Sequence, residues 1–266
     1  MDIRDVHTEL ILEAQFSFAA VTAERPVAER GGALEEVSSH FQGLALCHLL
    51  ENADVALFRE NLVRSGHARR YFLRRSRSEG NDEDRRLALS RTEAFLDAAA
   101  AADLPLAREI ATLSVSTWNP GWEYEDDFCY YRILQTLVLE PDAAREPSLG
   151  ALLVRFERAL EGAASWRLAL CEALVEREGP GFDEALRGFV EAEQEANDAR
   201  RDALESYEFL FWPRSFVSVE ALALLQLAAL RGIETAEAYP LCPAIARLAP
   251  TEHRYRDLFA EIERLR

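Results

Sequence analysis

The amino-acid sequence predicts an all-α fold, in which antiparallel helix pairs stack into an irregular array similar to a helical repeat. Apolar residues recur three or four positions apart along almost the whole chain, which is the spacing of one helix face. No stretch shows the convincing alternation of a half-buried strand. The 266 residues are 49% hydrophobic and 29% charged, a globular balance. We expect one domain over residues 1–266, with a possible subdivision near 116–124.

The first helix is expected near residues 3–20, where Ile3, Val6, Leu10, Ala14 and Phe18 form one apolar stripe. Residues 21–32 contain Pro26 and a glycine pair, so we predict a loop there. A second helix is expected from Leu34 to about Asn52. Asp54 then has the position of an N-cap, which predicts a third helix to about Arg77.

The rest of the chain continues the same pattern. The segment SEGNDED at 78–84 indicates an exposed break, and STWNPGWE at 116–123 indicates a turn-rich connection. Prolines mark loops at 140–147 and 237–250. Further helices are expected at about 86–101, 104–115, 125–139, 148–161, 164–178, 181–210, 216–231 and 251–265. Small or acidic turns that begin near 53, 102 and 179 each precede an amphipathic helix, which predicts stacked helix pairs.

The net charge of −17 narrows the classes of partner. A nucleic-acid binder needs a basic surface to neutralise phosphates, so we expect no nucleic-acid partner. Docking on an anionic membrane surface is disfavoured for the same reason. The charge is compatible with a basic protein partner, whose approach it would steer, or with a role in solubility alone.

The four cysteines lie in apolar surroundings, far apart and without a C-x-x-C pair: Cys47, Cys129, Cys171 and Cys242. This is typical of buried free thiols in a reducing compartment. The N-terminal stretch has acidic residues where a secretory signal needs a basic start, and no segment reaches the ~20 apolar residues of a membrane span. We therefore expect a cytoplasmic location.

The sequence contains no recognisable catalytic motif: no phosphate-binding loop, no dinucleotide fingerprint, no H-E-x-x-H and no nucleophile elbow. His40 and His48 lie about two helical turns apart, which is too far for both to bind one ion unaided. We therefore predict that the protein is not an enzyme and has no catalytic, cofactor or metal site.

The clearest polar cluster is the acidic-aromatic segment WNPGWEYEDDF at 118–128. Its carboxylates at 123, 125, 126 and 127 are typical of a first helical turn, where the helix dipole favours negative charge. A metal or acid–base cluster is the less favoured interpretation. With Trp122 and Tyr124 as anchors, the segment also has the makeup of a protein-binding hot spot.

Charge is distributed unevenly along the chain. Residues 59–91 hold ten arginines and five acidic residues, so the rest of the chain carries −22. We interpret these arginines as pairing with the acidic remainder or with a second copy in a homodimer, in preference to binding an anion or nucleic acid. Residues 172–208 hold twelve acidic residues and four arginines. That helix is either a solvated face or a surface that mimics nucleic-acid charge and blocks a basic cleft.

Six stretches of helix-packing and turn residues carry a resemblance to a known family. They are LALCHLLENADVALF (44–58), DLPLAREIATLS (103–114), WEYEDDFCYYRIL (122–134), RLALCEAL (167–174), VEALALLQLAALRGI (219–233) and YPLCPAIARL (239–248). In these the chain resembles the immunity protein 49 family of bacterial polymorphic toxin systems. The resemblance implies an all-helical, non-enzymatic protein that binds and neutralises a cognate toxin. It carries over no established binding residues.

The leading hypothesis is therefore that the protein inhibits a toxin by occluding its active site. The contact surface of the toxin is expected to be basic. The expected toxin-binding residues are Trp122, Glu123, Tyr124, Glu125, Asp126, Asp127, Tyr130, Glu191, Glu195 and Asp198. One alternative is a peptide-binding scaffold similar to tetratricopeptide repeats. Another is a helical metal-dependent hydrolase that uses Glu123, Asp126, Asp127 and a distant histidine.

Overall fold

The computed structural model describes residues 2–22, 24–140, 147–203, 208–248 and 255–264. These residues form twelve α-helices and no β-strand, which confirms the all-α prediction. The helices are α1 (Ile3–Thr22), α2 (Val27–Asn52), α3 (Val55–Glu79), α4 (Glu93–Ala100), α5 (Leu104–Leu113), α6 (Glu125–Leu139), α7 (Pro147–Ala159), α8 (Trp166–Glu176), α9 (Gly179–Ala203), α10 (Phe211–Arg214), α11 (Val219–Leu230) and α12 (Leu258–Arg264). Short 3₁₀ turns cover Arg85–Leu87, Leu89–Arg91 and Ala244–Arg247. The repeat-like arrangement and the single domain stay predictions.

The two long helices α2 and α3 form the centre of the fold. Ala53 ends α2 in a left-handed conformation, and the Asp54 side chain accepts a hydrogen bond of 2.9 Å from the Leu57 amide at the start of α3. This confirms the predicted N-cap. Helix α1 packs against α2, and α4 and α5 pack against α3. Each member of the pair therefore packs against further helices as well as against its partner.

The core is a cluster of buried hydrophobic side chains that extends from Val6 in α1 to Ile262 in α12. All four cysteines lie in it as buried free thiols, as predicted. Burial raises the pKa of the Cys47 and Cys242 thiols to about 12, so both stay protonated at neutral pH. Among the described helices, none is both long and apolar enough to cross a membrane.

The prediction of a loop over residues 21–32 is wrong in its second half, because α2 already begins at Val27. The glycine pair lies inside the helix. A Cβ atom on Gly31 would lie 2.9 Å from Arg86 Cδ and 3.2 Å from Phe72 Cε2. Gly31 therefore serves the close packing of α2 against its neighbours, although a glycine costs helix propensity.

The predicted helix over 86–101 is also wrong in its first half, where two 3₁₀ turns precede α4. The buried guanidinium of Arg69 donates to the carbonyls of Arg86, at 2.6 Å, and Ala88, at 3.3 Å. Asp84 caps the first turn by accepting from the Arg86 amide at 2.9 Å. These contacts hold the carbonyls away from continuous α-helical bonding. In the predicted helices 181–210 and 251–265, residues 204–207 and 251–254 lie outside the described residues. Residues 208–210 and 255–257 are described and are not helical, so those parts of the prediction are wrong.

Most arginines of segment 59–91 form ion pairs within the chain. Arg70 and Arg74 lie 3.2 and 3.1 Å from Glu109. Arg86 and Arg91 each lie 3.5 Å from Glu35. These pairs agree with the interpretation that the arginines compensate the acidic remainder.

The first and last described helices meet on the α3 side of the fold. The Phe259 ring of α12 lies 5.6 Å, between centroids, from both Phe18 of α1 and Tyr71 of α3. Asp257, just before α12, forms an ion pair with Arg70. Aromatic packing and the contact of Asp257 with Arg70 thus fix α12 to the body of the protein.

Candidate functional site

A cavity of about 780 Å³ lies between α2, α3, the start of α4 and the connection that precedes α6. Its volume falls in the range of about 300–1,000 Å³ typical of ligand sites. The lining residues are Leu34, Glu35, Ser38, Ser39, Gln42, Ala68, Arg69, Phe72, Ser90, Arg91, Glu93, Ala94, Asp97, Pro120, Gly121, Trp122, Glu123, Tyr124, Asp127 and Arg214. Six separate parts of the chain therefore contribute to one concave surface.

The floor of the cavity contains a buried carboxyl group. Asp97 is 1% exposed, and the Gln42 Nε2 amide donates to its Oδ1 at 2.6 Å. The Ser65 hydroxyl donates to its other oxygen. Burial raises the pKa of Asp97 to about 7, against the opposing effect of both hydrogen bonds. The carboxyl therefore changes its charge near neutral pH.

Arg69 forms part of the wall, and its donors are used within the protein. Besides the carbonyls of Arg86 and Ala88, it donates to the Thr92 hydroxyl at 3.1 Å. Burial lowers the pKa of Arg69 to about 10, so the side chain is still charged at neutral pH. Its role is to shape the turns beside the cavity.

Glu123 fixes the mouth of the cavity, which we define as Pro120, Gly121, Trp122 and Tyr124. Its Oε2 accepts a hydrogen bond of 2.7 Å from the Ser90 amide. The indole Nε1 of Trp118 donates to the Glu123 carbonyl at 3.2 Å. The connection is thereby tied to the 3₁₀ turns. Trp122 is left half-buried, and Tyr124 is 79% exposed.

The acidic residues at the start of α6 face different partners. Glu125 accepts from Arg155 at 2.6 Å, and Asp127 lies 3.2 Å from Arg167. Burial raises the pKa of Asp127, and the nearby Arg167 opposes that shift. Among the described residues, no group of three or more His, Cys, Asp or Glu side chains has the arrangement of a metal site. The carboxylates expected for a metal-dependent hydrolase therefore do not converge in this part of the chain.

Tyr130, which is expected from the sequence to contact a toxin, is fully buried in this structure, and its role in toxin binding stays a prediction. Its hydroxyl donates to Glu220 Oε1 at 2.8 Å. Arg167 binds both oxygens of Glu220 at 2.9 Å, and its guanidinium lies 4.7 Å from the centre of the Tyr130 ring. This tyrosine belongs to a partly buried polar network that joins α6, α8 and α11.

The structure separates the expected toxin-binding residues into two groups. Trp122, Glu123, Tyr124 and Asp127 line the cavity, and Glu125 and Asp126 are half-buried on the same helix start. The three residues expected on α9 are exposed and contribute nothing to the cavity lining. They are Glu191, Glu195 and Asp198.

Sequence reasoning missed the floor of the cavity. One local signal was present, because Asp97 is the only acidic residue in the apolar run AFLDAAAAA at 94–102. An acidic residue inside such a run is expected to be buried and hydrogen-bonded. Gln42 and Arg214 carried no comparable signal, since the fold alone brings them to the cavity.

Comparison with known proteins identifies one family. The family described as Immunity protein 49 matches residues 42–246, which is more than half of the chain. The matched range includes the cavity mouth, Asp97 and Arg214. The search of curated proteins and the search of solved structures found no match.

Proposed function

Because the chain belongs to the immunity protein 49 family, we propose that it neutralises a cognate bacterial toxin by binding over the toxin's active site. The family match is the observation that carries the immunity role. It implies a non-enzymatic inhibitor in a polymorphic toxin system. We place the protein in the cytoplasm of the producing cell, where it would meet the toxin before secretion.

The toxin docks, in this proposal, on the cavity mouth and the start of α6. Tyr124 is 79% exposed, and Trp122 is half-buried beside it. Large aromatic side chains surrounded by polar groups are typical anchors of protein interfaces. Glu123 holds the connection in place through the Ser90 amide, so little ordering is needed on binding.

The partner has a basic contact surface. The net charge of −17 attracts such a surface over distances longer than direct contact. Carboxylates of Glu125, Asp126 and Asp127 lie next to the aromatic anchors along one helix turn. Charge complementarity of this kind raises the association rate and selects the partner.

Co-expression tests the proposal. Each toxin gene that neighbours the gene of this protein is expressed in a sensitive host, with and without this protein. The cognate pair should restore growth, and the purified proteins should form a tight complex. Failure to protect against every neighbouring toxin would overturn the immunity role.

Substitution of the anchors tests the docking surface. Trp122→Ala combined with Tyr124→Ala should weaken toxin binding at least about thirtyfold, the equivalent of roughly 2 kcal/mol for a hot spot. Phe16→Ala on α1 is the matched control, because Phe16 is an aromatic residue that is 71% exposed outside the cavity. The Phe16→Ala variant should bind the toxin with the same affinity as the natural protein. Equal affinity of the double variant would contradict the docking surface and leave the immunity role intact.

A further inference from the structure

The cavity has more carboxylates than guanidinium groups, and those guanidinium groups are engaged within the protein. Among its described lining residues, five carry carboxylates and three carry guanidinium groups. Arg69 donates to two main-chain carbonyls. Arg91 lies 3.5 Å from Glu35, and Arg214 lies 3.9 Å from Glu93. The cavity therefore has an excess of acceptor groups.

Among the described lining residues, two carboxyl groups are left without an ion pair, because the other three each face an arginine. Within the described residues, Asp97 accepts only from Gln42 and Ser65, and it has no ion pair. Glu123 accepts the Ser90 amide through Oε2, and its shielded Oε1 has no hydrogen-bond partner in the described part of the chain. Carboxylates withdrawn from water are costly unless an opposite charge or enough donors compensate them. Asp97 avoids part of this cost by holding a proton near neutral pH, and a cation in the cavity would compensate its ionised form and the Glu123 carboxylate.

The entrance to the cavity is suited to the same kind of group. Trp122 and Tyr124 line the mouth, and the faces of both rings attract cations. A guanidinium or ammonium group on a flexible aliphatic stem would pass apolar ring surface before it reaches the acidic floor. The mouth and the floor therefore favour one ligand chemistry.

We propose that the cavity binds the guanidinium or ammonium group of a basic side chain, which the toxin inserts between Trp122 and Tyr124 toward Asp97. This inference rests on the proposed function, because the side chain belongs to the toxin. The basic residue neutralises the acidic floor, and its aliphatic stem covers the aromatic mouth. One inserted residue thereby becomes the centre of the interface.

Arg214 determines what surrounds the inserted cation. Its ion pair with Glu93 is long, at 3.9 Å, and its Nε and Nη2 have no hydrogen-bond partner among the described residues, although they are shielded from water. Main-chain carbonyls of the segment that carries the basic residue are suitable acceptors for these nitrogens, after a small movement of the side chain. An anionic ligand would gain this contact but would face Asp97, Glu93 and Glu123. The occupant is therefore a peptide segment with a cationic side chain.

A capped amino acid tests the cavity without the toxin. Acetyl-arginine-amide is titrated into the full-length protein, and acetyl-citrulline-amide is the uncharged control of the same shape. The readout is the NMR signal of the Trp122 indole N–H, assigned with a Trp122→Phe variant. Arginine should shift this signal and saturate, and citrulline should bind at least about tenfold more weakly.

Two variants address the cavity itself. Asp97→Asn removes the floor charge, and Ser39→Phe fills space at a half-buried lining position on α2. Each should weaken binding of acetyl-arginine-amide and of the toxin at least about tenfold. Glu9→Gln is the control, because it removes one negative charge from an exposed position on α1, which contributes nothing to the lining. Circular dichroism confirms that each variant is folded.

The outcomes separate this inference from the proposed function. Equal binding of arginine and citrulline, or full toxin affinity in a folded Ser39→Phe protein, would overturn the cavity proposal and leave toxin neutralisation standing. Arginine binding without any toxin binding would support the cavity chemistry and overturn the proposed function. If Asp97→Asn and Ser39→Phe each weaken binding of acetyl-arginine-amide and of the toxin, the result supports the cavity proposal and the proposed function.

Discussion

Asp97 illustrates how one buried carboxyl links the cavity to the stability of the fold. In the unfolded chain its pKa is near the ordinary value of 3.8, and burial raises it to about 7 in the folded protein. Between these values the folded state binds more protons than the unfolded state. The free energy of unfolding therefore falls as pH rises from about 4 to about 7. Glu93 reinforces the raised pKa by repulsion, and Arg214 opposes it.

Asp97→Asn should remove this pH dependence, because the amide does not titrate. At pH 8 the variant should be more stable than the natural protein by about 1–4 kcal/mol, since it avoids a buried charge. The difference should shrink toward pH 4. Urea unfolding across this pH range measures the effect. Parallel stability profiles of the two proteins would show that Asp97 ionises as readily in the folded chain as in water.

Arg167 is a second residue whose loss should be measurable. It binds Glu220 through two hydrogen bonds of 2.9 Å, and the two side chains are 33% and 19% exposed. Arg167→Ala removes both of these hydrogen bonds to Glu220 and the contact of the guanidinium with the Tyr130 ring. Because the pair is only partly buried, we expect a loss of about 1–3 kcal/mol in the free energy of unfolding.

Arg74→Ala is the matched comparison for Arg167→Ala. The Arg74 pair with Glu109 is about half exposed on both sides, so its loss should cost less than about 0.5 kcal/mol. Chemical denaturation of both variants gives the two values. A similar cost for both substitutions would contradict a structural role of the Arg167 network.

At the scale of helices, glycines in α2 and α3 differ in whether close packing requires the absence of a side chain. A Cβ atom on Gly32 would meet only Arg86 Nη2, at 3.7 Å. On Gly66 it would lie 2.7 Å from Leu106 Cδ2 and 3.3 Å from Ala98 Cβ. Gly66 thus permits the close approach of α4 and α5 to α3, as Gly31 does between α2 and its neighbours.

Alanine substitutions should separate these roles. Gly32→Ala should stabilise the protein by about 0.5–1 kcal/mol, because alanine is the better helix former and has room. Gly66→Ala should destabilise it by about 1–3 kcal/mol, because the added methyl group overpacks the contact with α5. Thermal unfolding compares the two variants. If both substitutions raised the melting temperature, the packing role of Gly66 would be wrong.

The sequence predicts helices well where local signals decide, and poorly where distant contacts decide. Asp54 is expected at a helix start, and it accepts a hydrogen bond from the Leu57 amide there. Asp103 lies in the turn predicted near 102, and it accepts in the same way from the Leu106 amide. The glycine pair in α2 predicts a loop from its local sequence, but close packing against distant residues such as Phe72 and Arg86 favours the helix. The 3₁₀ turns over 85–91 depend on Arg69, whose reach to their carbonyls has no local signature.

The same distinction applies to the candidate site. Trp122 and Tyr124 of its mouth are close in sequence, and composition alone indicates them as binding anchors, although their contact with a toxin stays a prediction. Its floor joins Gln42, Asp97 and Arg214, which come from three helices. No spacing rule relates residues so far apart in the sequence, so the cavity could be found only from the three-dimensional structure.

At the scale of the whole molecule, the uneven charge predicts how toxin binding depends on salt. Internal ion pairs compensate many arginines of segment 59–91, so acidic surface dominates elsewhere. The association rate with a basic toxin should fall at least about tenfold when salt rises from about 50 mM to about 500 mM. Stopped-flow mixing measures this rate.

A variant of α9 locates the attracting charge. Glu191→Gln, Glu195→Gln and Asp198→Asn together remove three exposed charges outside the cavity. The variant should associate more slowly at low salt and show a weaker salt dependence, with a nearly unchanged dissociation rate. An unchanged association rate would exclude α9 from long-range attraction of the toxin.

The contact between α1 and α12 has a consequence for how such proteins recombine. Phe18 and Phe259 lie near opposite ends of the chain, both outside the matched range of 42–246, yet their rings pack together. A hybrid that takes α1 from one relative and α12 from another would bring together two helix surfaces that do not pack against each other in either parent. Exchange of both ends as a unit keeps the contact between Phe18 and Phe259, so we expect the residues at these two positions to vary together among relatives.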